Sequence, residues 1–191
     1  MPKAIVLTQY CAPAAAPARA VAPRDRAGRP RLRAHYRSLA DAREHATIDY
    51  CEEIAGIEPQ EQAAALPPGV ARYICTQAQD SGACSEPHRV LMIVAFSVPE
   101  ARVEEVERWY REEHGPLLLR APGWLRMRRY RLHHAAGGPR WTHLALHELR
   151  DLAVLDSTER AVARSTPWRA RLEQESWFTQ AGRWVYEYLP C

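Results

Sequence analysis

The run Val90–Phe96, VLMIVAF, restricts the fold more than any other stretch of the chain: seven apolar residues in succession cannot alternate between core and solvent, and they are far too few to cross a bilayer. They read as the heart of a central strand, Arg89–Val98, covered on both faces. A helix follows from Glu100 to about Leu119, with Pro99 at its mouth and Val103, Val106, Tyr110, His114 and Leu117 at steps of three and four on one face. Trp124–His134 is a strand, and the turn Gly137-Gly138-Pro139 leads into a second one, Arg140–Leu149. A helix from about Leu152 to Arg164, with a further piece to Trp177, precedes the closing strand GRWVYEYLP. The order β-α-β-β-α-β is the ferredoxin-like unit, an α+β arrangement that sets two helices on one face of an antiparallel sheet.

The first half is less regular. Ala4–Tyr10, Arg31–Leu39 and Val70–Gln77 read as strands and Ala40–Gly56 suits a helix, while Cys11–Arg31 is a Pro/Ala/Arg-rich segment without periodicity and Asp80–His88 collects turn formers like a linker. GRPRLRAHYRSLADA lines up with GGPRWTHLALHELRDLA, each entering a strand through Pro-Arg and opening a helix at Leu and Asp. The expectation is a degenerate ferredoxin-like half over residues 1–87, carrying the insertion 11–31 in place of its first helix and second strand, joined to an intact unit over 88–191. The sheet's helix-free face must be buried, either on that worn repeat, as an intrachain pseudo-dimer, or on a second chain, as a homodimer.

Composition removes several classes. With 26 basic against 23 acidic side chains there is no clustered basic excess of the kind nucleic-acid binders carry. Five cysteines without a CxxC pair argue against a disulfide framework and a structural zinc site. The expected setting is therefore a reducing cytoplasm, with a small-molecule substrate as partner and neither nucleic acid nor membrane. His143 and His147 share a face of one strand but lie about 13 Å apart, too far for one metal, so no metal is expected; a haem held by a single histidine stays open.

FSVPEARVEEVERWYREEHGPLLLRAPGWLRMRRYRL, followed by PRWTHLALHELRDLAVL, resembles the EthD-like branch of the dimeric α+β barrel superfamily. The resemblance covers Val90 to Leu189 and rests on Trp-Tyr, Glu-His and Pro on the first helix, Pro-Gly with an aromatic, and Arg-Tyr on the next strand; the first half has no Glu-His-x-Pro of its own. It implies facing antiparallel sheets with helices on the outer faces and a pocket for a small aromatic or polyketide-like molecule. It also implies cofactor-independent chemistry, with cyclases, decarboxylases, dehydratases and monooxygenases among its members, beside haem degraders.

His114 sits on the apolar stripe of its helix and so faces the sheet, where an imidazole titrating near neutral pH serves as general acid or base. The plainer alternative is a cap on its helix end. Tyr110, one turn earlier, is an oxyanion donor or a core residue. Trp124, Tyr130 and Trp141 are walls for a planar substrate or ordinary core aromatics, with His143 on the same strand face as the last. Among the arginines of the following strand, Arg129 stands where the resemblance has its Arg-Tyr pair and is the candidate carboxylate anchor. Cys51 and Cys75 read as small buried hydrophobes. The expected function is a cofactor-independent lyase or cyclase of specialised metabolism that works through an enolate on an aromatic or polyketide-type molecule, with His114 as the proton shuttle; a cofactor-free monooxygenase and a non-catalytic protein that binds a small molecule or haem are the alternatives.

Overall fold

The structure, a computed structural model, describes residues 3–11, 32–52, 57, 66–83 and 86–190. Nearly all of the Pro/Ala/Arg-rich segment lies outside the described residues. Eight strands run in chain order: β1 (Ala4–Cys11), β2 (Leu32–Ser38), β3 (Glu44–Cys51), β4 (Val70–Gly82), β5 (Val90–Phe96), β6 (Trp124–Ala136), β7 (His143–Leu149) and β8 (Gly182–Leu189). The chain divides into two compact units. The first comprises Met1–Ala78, Tyr130–Arg140 and Val185–Cys191, the second Gln79–Arg129 and Trp141–Trp184.

The first unit is built on β1, antiparallel to β3 on one side (Leu7 opposite Ile48) and to β4 on the other (Leu7 opposite Tyr73). β2 continues the sheet beside β3, and the end of β8 pairs with β2, Tyr36 facing Tyr188. The order β4-β1-β3-β2 is the ferredoxin-like order. One face of this sheet is apolar: Ala4, Val6, Cys51 and Ile74 pack with Ile57. Arg33 clamps the buried Asp49 across the β2–β3 pair with two bonds of 2.5 and 2.9 Å, the geometry a guanidinium and a carboxylate favour.

Two expectations need correction here. Glu44–Cys51, inside the stretch that suited a helix, is strand β3. Over eight residues the two periods are hard to separate, and pairing with β1 on one side and β2 on the other settles the conformation of a segment already rich in strand formers, Thr47, Ile48 and Tyr50. β4 also runs on to Gly82, through residues that look like a linker.

In the second unit β5 and β7 pair antiparallel, Met92 opposite His147 and Val94 opposite Ala145, and the order β8-β5-β7-β6 repeats that of β1–β4. Gly137, at φ +75° in the β6–β7 connection, occupies the left-handed region where a side chain is strained. The helical segments are α1 (Val103–Trp109), a π-helical stretch Tyr110–His114, α2 (Gly115–Leu118), α3 (Thr158–Arg164), α4 (Pro167–Leu172) and α5 (Ser176–Thr179), with 3-10 turns at Glu100–Arg102 and Leu152–Asp156. Val94, Phe96 and Ala145 of the sheet pack with Val106, Trp109 and Phe178 of these segments. Among the described residues no helix is long and apolar enough to cross a membrane.

Candidate functional site

The second unit holds a cavity of about 590 Å³. Its floor follows from strand alternation: Met92, Val94 and Phe96 point the same way from β5, and His147, opposite Met92 on β7, joins them. Trp124, first residue of β6, stands edge-on to the His147 ring, centroids 5.2 Å apart.

The wall contributed by the first helix depends on a change of helical period. The amide of Gly115 donates to the carbonyl of Tyr110, five residues back, which defines the π turn; such turns are frequent at functional sites. Five residues on a regular α-helix would leave two side chains about 140° apart. Here Trp109 and His114 lie on one face with rings stacked at 4.2 Å and 18°, and Tyr110 meets the same imidazole edge-on at 5.3 Å. Gly115 is required at this point: a Cβ there would come within 2.5 Å of Met127 Cε and 2.6 Å of the Tyr110 carbonyl oxygen.

His114 is buried, and its Nδ1 lies 3.2 Å from the carbonyl oxygen of Ala163 on α3. A carbonyl only accepts, so Nδ1 carries the hydrogen and donates it, and a neutral ring then keeps Nε2 unprotonated. Burial, reinforced by His147 and Arg169, pushes the pKa of His114 down to about 3. His147 is likewise pushed down to about 3 by burial, with Arg129 and Arg160 adding to it. Both imidazoles are thus neutral bases across the physiological range, which corrects the expectation of a group titrating near neutrality. His147 Nδ1 is buried and has no hydrogen-bond partner among the described residues.

The remaining wall is cationic. Ser157 caps α3 by accepting from the amide of Arg160 at 3.3 Å, and Thr166 caps α4 by accepting from that of Arg169 at 3.2 Å. Thr166 Oγ1 also donates to Glu113 at 2.7 Å, tying α4 to the π stretch. Arg160, Arg164, Arg169 and Arg183 all line the cavity.

Of the residues singled out from sequence, His114, Tyr110 and Trp124 share this cavity. Arg129 is buried with its guanidinium 4.3 Å over the Tyr110 ring and is not part of the lining. His143 shares a hydrogen bond of 2.9 Å with the Thr142 hydroxyl, Trp141 packs edge-on to Trp184, and Tyr130 is buried in the first unit. Trp109, His147 and the four cavity arginines were not singled out. The arginines come from three segments whose arrangement no periodicity reveals, whereas Trp109 was legible as the residue before Tyr110 had the π turn been foreseen. Cys51 and Cys75 are buried, and burial raises the Cys75 thiol pKa. Among the described residues no three His, Cys, Asp or Glu side chains are grouped to hold a metal.

No family model matches the chain, and no curated protein does. Solved structures do match. An anthrone oxidase-like protein shares 8% identity at a TM-score of 0.65, over 100% of this chain and 92% of its own. A ferredoxin fold protein from Listeria monocytogenes, related to antibiotic biosynthesis monooxygenases, shares 9% identity at a TM-score of 0.56, over 100% and 97%. A monooxygenase-like protein from Listeria innocua shares 9% identity at 0.54, over 100% and 96%. At such identities the likeness is one of fold alone: the ferredoxin-like α+β fold.

Proposed function

We propose that this cavity is the active site of a cofactor-independent enzyme that removes a proton from a carbon conjugated to the carbonyl of a planar aromatic compound, and that dioxygen then captures the resulting enolate. The observation that carries this reading is the orientation of His114: with Nδ1 committed to Ala163, its Nε2 is the nitrogen left to act as base on the cavity wall. A pKa near 3 describes a weak base, yet the transfer creates an imidazolium opposite a new enolate, and that pair of charges offsets the desolvation that depresses the pKa. Tyr110, one turn away, donates to the developing oxyanion. The anthrone oxidase-like neighbour supports an anthrone-type substrate, a CH₂ group between two aryl rings and conjugated through them to a ketone. The reaction balances as CH₂ plus O₂ giving C=O plus H₂O, the substrate carbon oxidised and both oxygen atoms reduced.

The lyase or cyclase expected from sequence would use the same enolate without oxygen. The monooxygenase-related neighbours favour oxygenation. Anthrone and the purified protein, in chelator-treated buffer at pH 7, should consume one O₂ per anthraquinone formed. His114→Asn, which keeps a donor for Ala163 and removes the base, should lower the rate by about 100-fold. Anaerobic turnover would instead establish a lyase or cyclase, and binding without turnover a carrier; a Soret band on adding haem would place the protein among the haem binders.

A further inference from the structure

The rim of the cavity carries more positive charge than the protein uses. Arg160, Arg164, Arg169 and Arg183 face a single lining carboxylate, Glu173, and Arg169 Nη2 holds that one at 2.7 Å. Arg160 donates to the carbonyl of Leu155, and Arg183 to those of Ala181 at 3.1 Å and Phe178 at 3.4 Å. Carbonyls accept hydrogen bonds but neutralise nothing, so among the described residues the carboxylates of Glu173 and of Asp156, which acts on Arg160, stand against four guanidinium charges. Burial and the neighbouring arginines lower the pKa of Arg160 and Arg183, the sign of crowded like charge.

Arg169 gives the second observation. It is only 8% exposed, its guanidinium lies 5.3 Å over the Phe178 ring, and its Nε is buried without an acceptor among the described residues. A buried charged donor left unpaired is costly, and native structures seldom leave one without a purpose. His147 Nδ1 and the indole nitrogens of Trp109 and Trp124, on three residues that line the same cavity, are buried and also lack partners among the described residues. The lining also includes the apolar side chains of Met92, Val94, Phe96 and Phe178.

We infer that the ligand of this cavity is an aromatic carboxylate: its anion is bound by Arg169 with the exposed Arg164 and Arg183 around it, its rings lie along the apolar walls, and an oxygen at its far end meets His114 and His147. The inference deepens the reading of the same site given above and rests on it for the location, but not for the reaction. A guanidinium pairs with a carboxylate through charge-assisted bonds that a neutral amide of the same shape does not match. The cavity volume falls within the range that encloses molecules of this size.

The test is binding of anthraquinone-2-carboxylate against anthraquinone-2-carboxamide, followed by quenching of tryptophan fluorescence. The acid should bind about tenfold more tightly or better, with the advantage shrinking as NaCl is raised from 50 to 500 mM and falling towards parity in Arg169→Gln, while Arg111→Gln, at an exposed arginine outside the cavity, leaves the ratio in place. Equal affinities, no binding of either compound, or a ratio that persists in Arg169→Gln would overturn the inference. Should Arg169→Gln not fold, the double variant Arg164→Gln/Arg183→Gln, at two exposed positions, must lower the same ratio. Failure of anthrone oxygenation with an intact acid-to-amide ratio would remove the reaction and keep the ligand class; turnover with a ratio of one would do the reverse.

Discussion

Gly115 illustrates how much one side-chain atom decides in this structure. The obstacles to a Cβ there are the Met127 side chain, which can turn aside, and the Tyr110 carbonyl oxygen, which as backbone cannot. Gly115→Ala should therefore cost about 2 kcal/mol, read as a lowered midpoint in urea unfolding with an unchanged slope; an unchanged midpoint would mean that the π turn relaxes freely. His114 makes the same point about chemistry. Its type and position were legible in the sequence as a histidine on an apolar stripe, but its tautomer was not, because the acceptor that fixes it belongs to Ala163, 49 residues away in the chain.

At the scale of elements, the π stretch is the departure from regularity on which the site depends. Steps of three and four predict one face through Val103, Val106, Tyr110, His114 and Leu117; Val106, Tyr110 and His114 are buried, whereas Val103 and Leu117 are half-buried. The extra residue in the turn adds Trp109 to that face and moves the buried position beyond it from Leu117 to Leu118. Pro116 follows directly, and a wide turn relieves the clash that its ring would make with the carbonyl of a regular α turn. Deleting the exposed Glu112 should return the helix to α spacing, leave Trp109 over His114, and cost about 3 kcal/mol at Pro116. Adding Pro116→Ala should recover most of that loss. Additive effects of the two changes in a double-mutant cycle would rule out the coupling. The short helices α3 and α4 were legible in outline, since Ser157 and Thr166 are ordinary caps. What was not legible is that these caps bring Arg160 and Arg169 to one cavity.

For the whole molecule the two buried histidines set the acid side of its stability. Each has a pKa near 3 when folded against about 6.5 unfolded, so between those values the unfolded chain binds more protons and stability falls as pH falls. The contribution is fully present above pH 6.5 and lost progressively below it, by about 2 kcal/mol for each histidine at pH 5. The Tm should drop on going from pH 7 to pH 5, and His147→Gln should flatten that slope even though it lowers the Tm at pH 7. A Tm independent of pH over that interval would mean that neither ring is as buried as described. The same strand order in β1–β4 and β5–β8 also belongs to this scale. The sequence suggested a repeat, but its matched Pro-Arg entries set β2 against β7, whereas the strand orders make β3 the counterpart of β7 and β2 that of β6; the helix expected after β2 is β3 itself, because a strand's partners decide its conformation as much as its own residues do.

The sequence by itself determined the second half's order of elements, the central position of β5 and the inward face of the first helix, because each of these is written in the local spacing of apolar residues. It also determined the residue types on which an acid-base reading depends. Only the tertiary structure decided which of them meet. The neutrality of His114 and His147 comes from desolvation, and the collection of four arginines around one carboxylate comes from the packing of α3, α4 and β8 about the cavity. Burial and charge accumulation are properties of three-dimensional neighbourhoods, whereas a one-dimensional pattern records only which side of an element a residue takes.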